Sequence, residues 1–247
     1  MYGNCQRLLA VVRASDLRSL RALLRKGDLR RSDLNVALIG AARRGWVPGL
    51  RLLLRAGASA GAADRYGTTA LHHAVRRGRA VVVALLDAGA EPGRPDKSGN
   101  TPLIEAALAG NAGITRAMLT KNCAIDRRNR LGETALSSAA AWGWVSVIRL
   151  LLKAGANPNI GDRRGGTPLM LSAMRGDLAA IHSLLGAGAL PGATDDSGNS
   201  ATTHAEWYGH KAVAGVLRRA RGSGGGCANR KTGRACSARS HKVVFNK

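Results

Sequence analysis

The hydrophobic pattern between Asn129 and Gly161 describes two short helices and a turn. Leu136, Ala139 and Ala140 recur at helical spacing, and Val147, Ile148, Leu150, Leu151 and Leu152 form a second apolar face. Polar and glycine positions punctuate them. Gly132 suits a tight turn that needs positive φ. Thr134 can cap the first helix with its hydroxyl. Gly143 ends that helix, and Gly155 is expected to close the second as its C-cap. Helices this short cannot bury a face alone, so similar units must pack on both sides, with Leu151 and Leu152 in a shared core.

The rest of the chain supplies those units. Asp64, Asp96, Asn129, Asp162 and Asp195 fall 32, 33, 33 and 33 residues apart. Each begins the same run: Asp96, Gly99, Thr101-Pro102-Leu103, Ala106-Ala107 and Gly110 in one unit; Asp162, Gly165, Thr167-Pro168-Leu169 and Gly176 in another. Such a period marks a stacked array. The D-x-x-G-x-T-P-L…G…L-L-x-x-G-A pattern resembles the ankyrin repeat family over roughly residues 1–220. The resemblance implies an all-α solenoid of about six or seven helix-turn-helix units joined by short hairpin turns, each unit touching only its neighbours.

The units are unequal. Residues 1–30 keep Leu17, Leu20, Leu23, Leu24 and Gly27 but lack the turn and TPL half, as a degenerate N-terminal cap or the start of a truncated array would. Residues 31–63 lack the glycine turn; Pro48 suits the first turn of a helix. Residues 64–95 are one residue short, since Gly78 and Gly89 lie 11 apart where other units have 12. That deletion is expected in the second helix or its cap, leaving a weak joint. Residues 96–128 place Asn122 where a capping glycine is usual. Residues 129–161 and 162–194 are the most regular. Residues 195–220 substitute Ser200 and Thr202 for Thr and Leu, polar changes that suit a terminal cap. Residues 221–247 hold a glycine linker, seven Lys or Arg and no acid, and are expected to form a disordered basic tail.

Composition narrows the partners. Lys and Arg number 38 against 15 Asp and Glu, a formal charge of +23, so acidic proteins, anionic membrane or nucleic acid should be attracted. Aromatics make up only 3%, so the core is aliphatic. Cys5 and Cys123 lie more than three repeats apart, too far to bridge. Reduced thiols, and a cytoplasmic or nuclear location, are expected. The N-terminus does not read as a signal peptide, and no apolar stretch approaches the ~18 residues of a membrane span.

No catalytic constellation emerges, and neither enzyme activity, cofactor nor metal is expected. The resemblance gives His72 a structural role near a helix start; His204 and His210 fall in the capping unit. Asp96-Lys97-Ser98 lacks the glycine that a phosphate loop needs before its lysine. Cys227, Cys236 and His241 fit no standard zinc spacing.

In ankyrin-like folds the hairpin tips and the end of the first helix line a concave groove. Here the pairs preceding the glycine column are Arg43-Arg44, Arg76-Arg77, Leu108-Ala109, Ala141-Trp142, Met174-Arg175 and Trp207-Tyr208, with Arg65 and Tyr66 at a tip. Arg43, Arg44, Arg65, Tyr66, Arg76, Arg77, Trp142, Arg175, Trp207 and Tyr208 are therefore the candidate partner-binding residues, of types enriched in interface hot spots. A plainer alternative makes the arginines a solvated face and the tryptophans packing residues, as Trp144 just past Gly143 suggests. The expected function is a monomeric scaffold or adaptor gripping an acidic protein. A nucleic-acid-associated protein is the first rival. A ligase substrate adaptor is the second, although the tail does not resemble the box such adaptors carry.

Overall fold

A computed structural model describes residues 2–121 and 123–223, and these residues form fourteen helices in seven antiparallel pairs. The pairs are α1 (Tyr2–Ala14) with α2 (Leu17–Arg25), α3 (Arg31–Arg44) with α4 (Val47–Arg55), α5 (Ala70–Ala74) with α6 (Arg79–Asp87), and α7 (Pro102–Leu108) with α8 (Ala112–Leu119). They continue as α9 (Ala135–Trp142) with α10 (Val145–Lys153), α11 (Pro168–Arg175) with α12 (Leu178–Gly186), and α13 (Ala201–Trp207) with α14 (Lys211–Ser223). Odd-numbered helices pack in one row and even-numbered helices in a second, so each pair meets the next in both rows. The fold is the all-α solenoid that the 33-residue period predicts.

Each regular unit is set by short-range chemistry. Thr69, Thr101, Thr134, Thr167 and Ser200 cap the odd helices, each hydroxyl accepting the N–H three residues on. The leucine two residues later points between units: Leu71, Leu103, Leu136 and Leu169 are each at most 1% exposed. Burying such a side chain contributes about 1.5–3 kcal/mol. Leu151 is fully buried in the same continuous core, whereas Leu152 is only half-buried at its edge. Thr202 occupies the leucine position in the final unit and is still buried, its hydroxyl without a hydrogen-bond partner.

The missing residue of the unit 64–95 falls at the N-cap of the second helix and not within that helix. α6 has nine residues, like α4, α10 and α12, so the second helix is intact. The link between helices is what shortens. In other units a glycine in the left-handed conformation ends the odd helix, and one further residue starts the even helix: Gly45-Trp46, Gly143-Trp144, Gly176-Asp177. Here Gly78 serves alone as the N-cap of α6, with φ 122° and ψ 164°. α5 stops after five residues, and the odd-row packing is sparsest between α5 and α7.

The ends of two elements complete the picture. Gly155 closes α10 as its sequence predicts: it follows the half-helical Ala154 with φ 91°, its N–H donates to the Leu152 carbonyl, and the Ala156 N–H donates to that of Leu151. α14 extends to Ser223, so the expected boundary at 220 falls inside a helix. The cap assigned to Asn122, the disorder expected of the tail from residue 224 onward, and Cys227, Cys236 and His241 lie outside the described residues.

The first two units depart from the others. Aligned on Gly45 and Gly143, residues 31–36 correspond to 129–134, which make a hairpin and cap; here they are the first turns of α3. Asp33 and the Arg30 backbone hold the start of that helix. α1 is similarly long, and Ser15 fills the glycine column with φ 55°.

Candidate partner-binding groove

The groove is built on five hairpins. The first side chain of each turn accepts N–H bonds at its own tip: Asp64 Oδ1 from Tyr66 and Thr68, and Asn129 Oδ1 from Leu131 and Glu133. Asp96, Asp162 and Asp195 repeat the pair. This is why an Asp or Asn recurs at that position: a short oxygen acceptor closes the turn that Gly67, Gly99 and their equivalents bend. One backbone bond then joins each tip to the next. Lys97, Arg130, Arg163 and Asp196 donate to the carbonyls of Tyr66, Ser98, Leu131 and Arg164 at 2.9–3.0 Å. The spacing leaves no room for side chains beneath: a Cβ on Gly99 would stand 2.9 Å from the Arg130 nitrogen.

Three adjoining hollows run along this surface. The first, about 880 Å³, lies between α1, α3 and the tip at Arg65 and Tyr66, with Arg13, Arg43 and Arg44 on its walls. The second, about 370 Å³, is lined by Arg43, Arg76, Arg77, His72 and His73, with Asp96 and Glu105 opposite. The third, about 550 Å³, is walled by Val75, Leu108 and Trp142. Arg43 borders the first two hollows, and Arg76 and Glu105 border the last two, so the surface is continuous. Arg76 approaches Glu105 at 3.9 Å. Among the described residues no carboxylate lies within 4.0 Å of Arg13, Arg43, Arg44, Arg65 or Arg77. The Arg65 guanidinium stacks 4.8 Å above the Tyr66 ring.

Of the two histidines in the second hollow, His72 is tied into the fold on both ring nitrogens, whereas His73 Nε2 has no hydrogen-bond partner among the described residues. His72 Nδ1 faces the Thr69 N–H at 3.1 Å, and Nε2 donates to the Asn100 carbonyl of the next unit at 3.0 Å. Burial holds its pKa below the usual histidine value, against the Asn100 bond. His73 is likewise lowered, by burial and then by Arg43, with Asp64 opposing. In the final unit the His204 ring contacts Asp195 at 2.8 Å and packs edge-on against Trp207. No group of three or more His, Cys, Asp or Glu side chains is placed to hold a metal among the described residues. No described helix is long and apolar enough to cross a membrane.

The structure gathers Arg43, Arg44, Arg65, Tyr66, Arg76, Arg77 and Trp142 on one surface. Arg175, Trp207 and Tyr208 lie outside the three hollows. Arg175 lies across Gly143 and donates to the Ala141 carbonyl, bracing two units together. Trp207 and Tyr208 are exposed on the last unit. The tryptophans divide as their positions dictate. Trp142, before its glycine, is 57% exposed. Trp144, after it, lies on Gly110, where a Cβ would sit 2.5 Å from the ring, and donates Nε1–H to the Leu108 carbonyl. The reading of tryptophan as a packing residue therefore fits Trp144, whereas Trp142 stands more than half exposed beside Val75 and Leu108.

Arg13, Val36 and Leu131 were not legible as site residues. Arg13 occupies the pre-glycine position of the first unit, but Ser15 disguises the column. Val36 lies in a stretch where the repeat template expects a hairpin. Leu131 sits at a tip and is 61% exposed, in the place Tyr66 takes two turns earlier in the row. Its position relative to Gly132 was a usable signal.

Residues 8–96 and 80–162 match a family model described as ankyrin repeats in three copies. No curated protein matches the chain.

Proposed function

The chain belongs to the ankyrin repeat family, whose stacked units are protein–protein interaction modules, and we propose that its groove grips an acidic segment of a partner protein. The family is typically a non-enzymatic scaffold, and the chain acts as an adaptor. The observation that carries this reading is a continuous surface on which, among the described residues, Arg13, Arg43, Arg44, Arg65 and Arg77 have no carboxylate partner, joined through Arg76, which pairs with Glu105, to exposed Trp142. Unpaired guanidinium groups raise the encounter rate with an anionic partner. Trp142, with Leu108 and Val75 beside it, supplies the desolvated anchor that slows escape. A preformed surface spends little entropy on ordering.

The test is comparative capture from lysate treated with nuclease. Full-length wild type and an Arg43→Glu/Arg77→Glu variant are compared, with melting curves showing both folded. Acidic proteins retained by wild type and lost by the variant support the reading. An unchanged set, or recovery only of nucleic acid before nuclease treatment, overturns it. A nucleic-acid role finds support in the net charge but in no base-reading module.

A further inference from the structure

The row of hairpin tips is open at its N-terminal end. Four backbone N–H groups, those of Lys97, Arg130, Arg163 and Asp196, are taken by the preceding tip. The equivalent N–H of Arg65 has no hydrogen-bond partner among the described residues. No hairpin precedes it, because residues 31–36 are helical. The first hollow of the groove opens in that place.

That hollow combines three chemistries. Its floor is aliphatic, made of Leu9, Val12 and Ile39. Val36, 47% exposed, and Tyr66, 56% exposed, present apolar surface to the opening. Arg13, Arg44 and Arg65 stand around it without carboxylate partners. Asp64 also lines it, but its Oδ1 is held by the N–H groups of Tyr66 and Thr68, and Oδ2 faces His73 at 3.7 Å.

We propose that this hollow receives an extended acidic segment of a partner protein, which stands in for the missing hairpin. A backbone carbonyl of that segment accepts the Arg65 N–H, as the four later junctions do within the chain. Side chains of an extended strand alternate between faces, so an apolar residue enters over Leu9 and Ile39 while its neighbours turn carboxylates toward Arg44 and Arg65. Adding a strand to an open edge is an established mode of peptide recognition, with the backbone giving affinity and the pockets giving selectivity. The proposal rests on the reading of the groove as a surface for acidic protein, and adds to it a register and a conformation. The chain's own C-terminal segment does not suit the hollow: residues 221–247 bring seven cations and no acid to a ring of arginines.

The test uses the full chain, ¹⁵N-labelled, and a short capped peptide alternating glutamate and leucine. A lysine–leucine peptide and an oligouridylate are compared. The glutamate peptide is expected to move the Arg65 amide downfield and slow its exchange with water about tenfold or more, leaving the already bonded Lys97 and Arg130 amides unchanged. Val36→Glu, at a half-exposed position, is expected to weaken the peptide about tenfold or more by placing like charge in its path. If the peptide binds and shifts only Arg76, Arg77 and Trp142, this inference fails and the groove reading stands. If no residue of the groove responds, both fail. If the oligouridylate moves the Arg65 amide and the peptide does not, the hollow is a nucleic-acid site and the proposal is overturned.

Discussion

Gly78→Ala tests where the short unit lost its residue. At φ 122° and ψ 164°, Gly78 occupies a region essentially reserved for glycine, and holding another residue there costs about 1–3 kcal/mol. A Cβ at this position meets no atom within 4 Å, so no collision adds to that cost. Alanine also loses fewer unfolded conformations, which returns about 0.4–1 kcal/mol. A net loss of about 1–2 kcal/mol follows, lowering a urea midpoint by about 0.5–1 M for a typical denaturant slope. Gly113→Ala is the control. Gly113 lies in α8 without positive φ, and the nearest atom to its Cβ is 3.5 Å away; alanine there should stabilise by about 0.5–1 kcal/mol. Inserting Asn after Gly78 copies the Gly110-Asn111 link and should raise the midpoint. Urea titrations followed by circular dichroism decide the matter. An unchanged midpoint in Gly78→Ala would place the deletion back inside α6 and remove the physical basis of the weak joint.

Other perturbations follow from the same structure. Leu151→Ala, at a fully buried position, should cost about 2–5 kcal/mol in chemical denaturation, while Leu152→Ala, half-buried, should cost distinctly less. Ser15→Gly should stabilise by about 0.5–1 kcal/mol, because Ser15 holds φ 55° at an exposed turn; a lower melting temperature would contradict that assignment. Amides of α5 should exchange faster than those of α9 and α11, since α5 has the sparsest contact with its following neighbour; equal protection would count against the joint. Acid should destabilise in two stages. His72 titrates below its ordinary value because of burial, despite the Asn100 bond, so its folded form binds fewer protons and stability falls as pH drops below about 6.5. Asp64 and Asp195 are also lowered: burial opposes this, but the N–H groups of their own turns and the neighbouring His73 and His204 prevail. They add a further loss as pH falls through the carboxylate range, near about 4. His73, also lowered by burial and then by Arg43, contributes to the same stage, so His72→Gln should reduce the first stage without abolishing it and leave the second unchanged, in melts run at a series of pH values.

The parts of the fold legible in the sequence were those fixed by local chemistry. Thr134, the Asp and Asn turn residues and the glycine column each announce a cap or turn by side-chain type, and their recurrence gave the stacking. The deletion was legible as a count but not as a place. Both ends of the shortened interval are glycines, and V-V-V-A-L-L offers no mark of where a residue is absent; only the backbone angles of Gly78 decide. Ser15 hides its column because serine does not declare a left-handed conformation. The helical extension of α3 was obscured by the repeat template, although R-S-D-L-N-V-A-L-I contains neither Gly nor Pro until Gly40. For the groove, the residues before each glycine were found by position. Which of them share a surface depends on the packing of unequal units, so Arg43 and Arg76 join while Arg175 turns aside to brace Gly143.

The central claim is that the arginine surface, and not the basic C-terminal segment or net charge alone, selects an acidic peptide. The most direct measurement is fluorescence-anisotropy binding of the capped glutamate–leucine peptide and of a duplex oligonucleotide, each at two ionic strengths. The full chain, a chain ending at Ser223, and the Arg43→Glu/Arg77→Glu and Trp142→Ala variants are compared. The account predicts that peptide affinity survives truncation, falls with charge reversal by about tenfold or more at low salt, and falls with Trp142→Ala through faster dissociation. It predicts that oligonucleotide affinity is steeply salt-dependent and largely lost with the C-terminal segment. Tight oligonucleotide binding that survives truncation, with no peptide binding that depends on Arg43 and Arg77, would contradict it.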